Sequence, residues 1–557
     1  MKTRQYLIST LCLLLLTGCA ANTAYRTHAP VQVNAPCTPT GMRSIEHVCL
    51  TEKSTDTAQK SSSNDGYLLS FVEFDDEGWM HDKQQADGLI QFLEEYQKKN
   101  DNAFLIVTFT HGWNHNAAEN DGNVAQFQKL LEKLAQDEIK GSKPGETPRK
   151  VVGVYLSWRG EMISFPPVFE LMDFWNRKDA AERVGHGSIK RFLTDIGEFR
   201  RISNARVKAE AWRKEKEKFD RQQAEWDANQ QQMAQLQQSV QAQLSRMATV
   251  PSQSGNKEGG KDQATDQTED EKNKLWAKNM RKLRTSHLNL NKEVSNNFQM
   301  CQNTRQQMNE LDKRRKAFDE ARRDGYIAGT DETQLIFIGH SFGGLIMHHA
   351  LQSTLIDRSR RRGITLEDGS EKQMNVSGIA DLTILINPAL EGAAYEPLLD
   401  ATDNRRFLEP PRPVMLTITA ENDTATGVSF PLARQDTYLN RDATTPEQRE
   451  AILHTVGHLD RYLTHKVFMN HDQPEFNQLR SDMNPTPFLV VRATPEIING
   501  HNDIANKNLE DVIRSVILHN LFWKKCKEYK SNSPEPGLHC PNTPNFWNFH
   551  AQEGVKK

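Results

Sequence analysis

Neither charge is in surplus across these 557 residues. Lys and Arg total 70, Asp and Glu total 73, and the formal net charge is −3. A protein that grips nucleic acid ordinarily carries a basic surplus, so this balance argues against nucleic acid as a partner. A long apolar run is missing from the N-terminus: the stretch from Tyr6 to Leu16 falls short of the ~20 residues that span a bilayer. Zinc signatures are missing too. His454 and His458 are four apart, but Gly457 weakens a helix there and no H-E-x-x-H accompanies them. No metal site and no cofactor are expected. The hydrophobic fraction is 37% and the charged fraction 26%, which suits a folded protein carrying some very polar segments. The length exceeds one ordinary compact core, so insertions or a second domain are expected.

The N-terminal segment reads as a targeting signal. Lys2 and Arg4 precede the apolar stretch, as in a secretory leader. Leu16-Thr17-Gly18-Cys19 resembles the lipobox of bacterial lipoproteins. That resemblance implies a signal peptide over 1–18, cleavage before Cys19, and acyl chains on Cys19 that anchor the chain to a membrane. Ala20, in place of Asp, implies the outer membrane of the cell envelope in a Gram-negative host. Of seven cysteines, Cys12 leaves with the leader and Cys19 takes lipid. Cys37 with Cys49, and Cys526 with Cys540, are near pairs that would serve as local staples in an exported protein, though spacing leaves connectivity open. Cys301 is left over, in a helical pattern.

Residues 19–65 are rich in Thr, Ser, Ala and Pro, and are expected to form a flexible tether. From 66 to about 200, apolar strands alternate with amphipathic helices. "GYLLSFVEF", "AFLIVTFT" and "KVVGVYLSW" are the strands; "ADGLIQFLEEYQKK" and "VAQFQKLLEKLAQDEI" have helical spacing. Such alternation predicts an α/β fold with a mostly parallel sheet and helices on both faces. It stops over 201–329. There Trp212, Phe219, Trp226, Met233, Val240 and Met247 recur every seven residues. After a polar stretch near 249–273, expected to be disordered, Trp276, Leu283, Leu290, Leu311 and Phe318 form a second row, with Met280, Val294, Cys301 and Met308 beside it. Two heptad-patterned helices around a polar turn predict an antiparallel helical hairpin. The sheet pattern resumes over 330–523 with "TQLIFIGHS", "IADLTILINPA", "RPVMLTITAEND" and "TPFLVVRATPEI", closed by the helix "LEDVIRSVILHNLFW". A polar tail, 524–557, follows.

Chemistry concentrates where strands end. Gly339-His340-Ser341-Phe342-Gly343 fits G-x-S-x-G. It sits between an apolar strand and a helical run, where a sharp turn projects a serine oxygen above the sheet. A serine hydroxyl is a poor nucleophile at neutral pH and needs a base, itself oriented by an acid. Here the chain resembles the lipase and esterase branch of the α/β-hydrolase superfamily, over roughly 66–175 and 330–523. The family order is Ser, acid, His. The resemblance implies Ser341 as nucleophile, Asp423 as the acid after "RPVMLTITA" (Glu421 being the alternative), and His501 as the base after the last strand, with Gly500 permitting the sharp turn. It also implies an oxyanion hole from two backbone N–H groups, Phe342 and, in the loop "THGW", Trp113, with His111 and Gly112 shaping that loop. Asn502 and Asp503 read as turn formers. His454, His458, His465 and His471 are candidates to line a substrate entrance; His340, His348 and His349 are expected in packing roles.

These features together imply a lipid-anchored serine hydrolase cleaving an acyl bond, a carboxylic ester first, a thioester or amide on the same triad as alternatives. The size of the insertion departs from the family pattern and leaves the substrate pocket open. A second reading makes the chain an envelope interaction protein, its helical hairpin binding a protein partner and its hydrolase scaffold vestigial.

Overall fold

The computed structural model describes residues 22–39, 41–50, 66–142, 147–161, 170–248, 332–360, 364–365, 371–372, 376–402, 413–438, 445–470, 473–479 and 486–517, with scattered residues between 270 and 309. The expected signal peptide with Cys19, most of the polar turn, the pair Cys526 and Cys540, His471 and the tail lie outside these residues.

A ten-stranded sheet organises the main unit, residues 1–205 and 328–557. Its strands are β1 (Ile45–Cys49), β2 (Gly66–Phe74), β3 (Phe104–Thr110), β4 (Lys150–Trp158), β5 (Gln334–His340), β8 (Leu382–Ile386), β9 (Met415–Ala420), β10 (His465–Asn470), β11 (Gln473–Gln478) and β12 (Phe488–Ala493); β6 (Ile364–Thr365) and β7 (Glu371–Lys372) form a separate ribbon. The order is β1-β2-β4-β3-β5-β8-β9-β12-β10-β11. From β2 through β10 every pairing is parallel, and only the outermost strands, β1 and β11, run antiparallel to their neighbours.

Strands β3, β4, β5, β8 and β9 are buried along their whole length. Alternation sends successive side chains to opposite faces. Phe104 and Ile106 join one apolar core with Leu89 and Leu93 of α1 (Lys83–Asn100), Ala180 and Val184 of α3 (Glu170–His186), and Leu345 and Ile346 of α5 (Phe342–Ser359). Leu105, Val107 and Phe109 join the other, with Phe127 and Leu131 of α2 (Gly122–Gly141) and with Leu509, Val512 and Val516 of the closing helix, 507–517. Burying each of these large apolar side chains stabilises the fold by about 1.5–3 kcal/mol before entropy is charged against it. The helix starts are specified locally: Asp82 caps α1 by accepting from Gln84 N–H, and Asp121 caps α2 by accepting from Asn123 and Val124 N–H.

One expectation is corrected. The flexible tether assigned to 19–65 is structured over 22–39 and 41–50. Cys37 and Cys49 are disulfide-bonded, and β1 pairs with β2. The segment has few large apolar groups because a buried polar network holds it instead. Glu73 accepts the Tyr25 and Arg26 N–H groups at 2.8 Å. The Arg26 guanidinium lies 3.8 Å over the Phe71 ring and donates to Ala117 O at 2.7 Å.

The second unit, Arg206–Ile327, is helical where described. Helix α4 (Ile189–Ala248) is 60 residues long and begins ahead of the expected boundary at 201, and helical residues recur between 270 and 309. Trp276 and Met280, both expected on apolar rows, are exposed, as are Leu275 and Leu288. Three further helices are α6 (Gly392–Thr402), α7 (Phe430–Tyr438) and α8 (Pro446–Leu453). Among the described residues no helix is long and apolar enough to cross a membrane.

Candidate active site

The carboxyl ends of β3, β5, β8, β9 and β12 point the same way, because these strands run parallel. The segments that follow them, containing Gly112, Ser341, Asn387, Asp423 and His501, therefore gather at one edge of the sheet. Crevices at such edges are where open α/β sheets place ligands.

Ser341 lies between β5 and α5. Its backbone has φ 55° and ψ −120°, a region that side-chain-bearing residues rarely occupy and that costs about 1–3 kcal/mol. The surroundings hold it there. Ser341 N–H donates to Ile386 O at 3.0 Å, and its carbonyl accepts from Gly344, Leu345 and Ala389. The turn also requires Gly343, which brings the start of α5 against β3: a Cβ there would sit 2.0 Å from Thr110 O. The Ser341 side chain makes no capping bond to its helix. Its Oγ instead meets His501 Nε2 at 2.8 Å.

His501 follows β12, on a turn that Gly500 makes at φ +82°. The other ring nitrogen, Nδ1, meets Asp423 Oδ2 at 2.8 Å. The backbone of His501 is clamped from behind: His340 Nε2–H donates to its carbonyl at 3.0 Å, and Asn387 Nδ2 donates to the same oxygen at 2.9 Å and to Gly500 O at 3.1 Å. Asn387 Oδ1 accepts from Ala420 N–H at 2.8 Å. One amide thus ties the ends of β8 and β9 to the histidine loop.

Asp423 is 2% exposed. Burial alone would raise its pKa, but hydrogen bonds from His501 and Thr426 outweigh burial and hold the carboxyl below its ordinary value. Oδ1 accepts the Ala425 and Thr426 N–H groups at 2.9 and 3.1 Å, and Oδ2 also accepts the Thr426 hydroxyl at 2.5 Å. Glu421, the alternative acid, is exposed and ion-paired with Lys466 at 2.9 Å. It belongs to the surface, and the geometry selects Asp423.

The loop after β3 reaches Ser341. A Cβ on Gly112 would lie 2.8 Å from Ser341 Cβ, so the loop backbone packs directly on the serine, with Trp113 the next residue in the chain. His111 is fully buried and shapes this loop. Its Nδ1 bonds Gly112 O at 2.9 Å, while Nε2 meets Ser157 Oγ at 3.0 Å and Trp158 N–H at 3.2 Å. Burial lowers its pKa to about 4, so it is neutral at pH 7, and the Nδ1–H tautomer fits both contacts. With the Gly112 carbonyl held towards His111, the trans peptide turns the Trp113 N–H the opposite way. Phe342 opens α5, and a first helical N–H has no acceptor within its own helix. Phe174 packs edge-on to Trp113 at 5.7 Å, and lies 5.2 Å from Phe342 and 6.0 Å from Phe430 between ring centroids, so these four rings form one aromatic cluster.

Gly112→Ala is expected to leave the chain folded but to break the 2.8 Å contact between Ser341 and His501. A crystal structure of the variant measures it, and an unmoved Ser341 would show that this loop does not set its position.

The remaining histidines divide. His348 Nε2 bonds Ala394 O at 3.1 Å, and His349 packs on His186 with ring centroids 4.7 Å apart; both fill structural positions. His465 is buried in β10 with Nδ1 on Thr464 Oγ1 at 2.9 Å. His454 caps the end of α8. Asn502 and Asp503 lie in the turn, where Asp503 accepts the Asn499 N–H at 2.9 Å. Sequence reasoning missed Asn387 and Thr426. The sole signal for Asn387 was a polar residue closing the run "LTILIN"; Thr426 gave none. Among the described residues no three His, Cys, Asp or Glu side chains cluster as a metal site would need. The chain matches no protein-family model, and comparisons with curated proteins and with solved structures find no significant match to it.

Proposed function

We propose that this protein is a serine hydrolase that cleaves a carboxylic ester by a covalent acyl-enzyme route, on an α/β-hydrolase fold into which a long antiparallel helical hairpin is inserted before the nucleophile strand. The observation that carries the proposal is the continuous hydrogen-bonded row Ser341 Oγ, His501 Nε2, His501 Nδ1, Asp423 Oδ2, each contact 2.8 Å.

The chemistry follows from that row. Ser341 Oγ attacks the acyl carbonyl while His501 Nε2 takes its proton. Asp423 keeps Nδ1 protonated, so that Nε2 is the free base, and stabilises the imidazolium that forms. Negative charge gathers on the carbonyl oxygen, where the Phe342 and Trp113 amides receive it; such donors together lower the barrier by several kcal/mol. His501 then gives the proton to the departing alcohol oxygen, and the acyl group stays on Ser341. Water repeats the sequence: His501 takes its proton, the hydroxide attacks the acyl-enzyme, the acid leaves, and the proton returns to Ser341. The aromatic cluster of Phe174 with Trp113 and Phe342, the two residues whose amides are assigned to the oxyanion, supports an apolar acyl group. The lipobox-like Leu16–Cys19 and the bond between Cys37 and Cys49 support export and a lipid anchor at the cell envelope, because disulfides persist in oxidising compartments.

A fluorophosphonate phosphonylates an activated serine and no ordinary one. Incubation followed by peptide mapping is expected to place one adduct on the peptide containing Ser341. No adduct on the folded chain, or an adduct on another serine, overturns the proposal; the first outcome leaves a scaffold whose helical hairpin binds a protein partner.

A further inference from the structure

The acid of the site has a partner behind it that the triad does not explain. Thr426 stands three residues after Asp423, in the one-turn helix Ala425–Ser429. Its hydroxyl touches Asp423 Oδ2 at 2.5 Å and His458 Nε2 at 3.0 Å. A threonine hydroxyl has one proton. Asp423 is an ionised carboxylate that can only accept, so that proton lies on the Asp423 side. Thr426 Oγ1 must then accept from His458, and His458 Nε2 must carry a hydrogen. Donor direction is thereby fixed along the whole row: His458 to Thr426, Thr426 to Asp423, and His501 to Asp423.

His458 is built into this place. It ends the short turn Val456–His458. Gly457, beside it, presses on β9: a Cβ there would lie 2.0 Å from Thr419 Oγ1. The His458 ring lies against Gly427, where a Cβ would come within 2.9 Å of it. Gly427 thus leaves room for the ring, and Gly457 lets the turn that carries it press on β9.

Resting on the hydrolase reading, we infer that His458 and Thr426 are positioning residues for the catalytic pair: they fix the Asp423 carboxylate and draw off part of its negative charge, and so set the basicity of His501. The physical reason is a shared acceptor. Oδ2 takes two hydrogen bonds, one from His501 and one from Thr426. Each stabilises the negative charge and weakens what the oxygen offers the other. Removing the Thr426 bond leaves more charge facing His501, which favours the imidazolium. The charged and titratable groups around His458 are Asp423, His501, His454 and Arg492 of β12, and the Arg492 charge is paired with Asp460 at 3.0 Å. Around His501 they are Asp423, His458 and, at 5.2 Å between ring centroids, His340. His340 is neutral down to about pH 3, so it carries no charge over the range that matters.

The test is the rate of fluorophosphonate labelling of Ser341 against pH, for the full chain and five variants. In Thr426→Val and in His458→Leu the acid limb of the profile is expected to move to higher pH by about half a unit, with the plateau rate down about 10-fold. Combining both changes should move the limb no further than Thr426→Val alone, because they cut one row. Thr426→Ser and His458→Gln, which keep a hydroxyl and an N–H donor, should return the limb towards its original place. A role confined to packing would lower melting temperature and leave the limb still. Labelling with an unmoved limb in both Thr426→Val and His458→Leu overturns this inference alone. Absence of labelling in the parent chain overturns the hydrolase reading and this inference with it. Thr426→Val is close to isosteric and carries the decision where His458→Leu does not fold.

Discussion

His501→Ala and Ser341→Ala are each expected to lower kcat for an acyl ester by about 10⁶, and the double variant by no more than either single change. The three groups act as one device. Without His501 nothing takes the serine proton; without Ser341 nothing carries the acyl group. The residual rate would come from the Phe342 and Trp113 amides and from binding, which survive both changes. Asp423→Asn should cost about 10⁴, and its surroundings say why it cannot recover. Oδ1 accepts two backbone N–H groups, while Oδ2 accepts His501 and the Thr426 hydroxyl. An asparagine has one acceptor oxygen and one NH₂. If the NH₂ faces Oδ1's partners, it meets two N–H donors; if it faces His501, it forces the proton onto Nε2 and removes the base. Glu421→Gln, at the surface pair with Lys466, should leave kcat within a factor of about two, since an exposed pair contributes ~0–1 kcal/mol. Hydrolysis of p-nitrophenyl esters with purified, folded variants measures all five. Full activity in His501→Ala, with loss in His458→Ala, would move the base to His458.

Which parts of this molecule were legible follows from what each part uses as its code. The central strands β3, β4 and β5 are buried on both faces, so "FLIVTFT", "KVVGVYLSW" and "QLIFIGH" read as continuous apolar runs, and their parallel order followed from the helices between them. The meeting of Ser341, Asp423 and His501 was legible because each ends or follows such a strand, where a polar residue has no packing reason to be. The N-terminal segment was misread because apolar content was the wrong gauge for it. Its strand β1 is held by a disulfide and by Arg26 and Glu73, and those bonds join residues far apart in the chain, such as Arg26 with Ala117. The same limit hid Thr426, Asn387 and the place of His458 beside Thr426. Their hydrogen bonds depend on loops meeting at the sheet edge, and no local pattern encodes a meeting of residues 32 or 114 apart. The hairpin "β10–β11", wedged between the acid strand and the histidine strand in the chain yet placed at the sheet margin beyond β12, was not expected either, since "HKVFMN" and "QPEFNQ" carry too few apolar residues to announce strands.

Acid should unfold this protein well before its carboxylates protonate. His111 and His465 are pushed down to about 4, and His340 and His348 to about 3, in every case first by burial. His501 near His340, and His349 near His348, lower the two deeper values further. An unfolded histidine titrates near 6.5. Between 6.5 and 3–4, therefore, the unfolded chain binds protons that the folded chain does not, and stability must fall as pH falls through that window. Each histidine contributes a slope of up to about 1.4 kcal/mol per pH unit. The four together approach the whole stability of an ordinary domain within about two units. Asp423 and Asp76 act in the same sense but elsewhere. Their folded values lie below the ordinary carboxylate value, Asp76 through bonds from Arg177 and Arg159 that outweigh its burial. Their contribution is intact above roughly pH 4–5 and is lost only below it. The two sources are thus separated on the pH axis. Melting temperature is expected to fall by roughly 10 °C or more between pH 7 and pH 5, and a flat curve down to the carboxylate range would refute the assignment. His348→Gln keeps a donor for Ala394 O without a group that charges, and should remove about a quarter of that slope. The effect also joins stability to the site. His340 bonds the His501 carbonyl, so the unfolding that delivers a proton to His340 also releases the loop that carries His501.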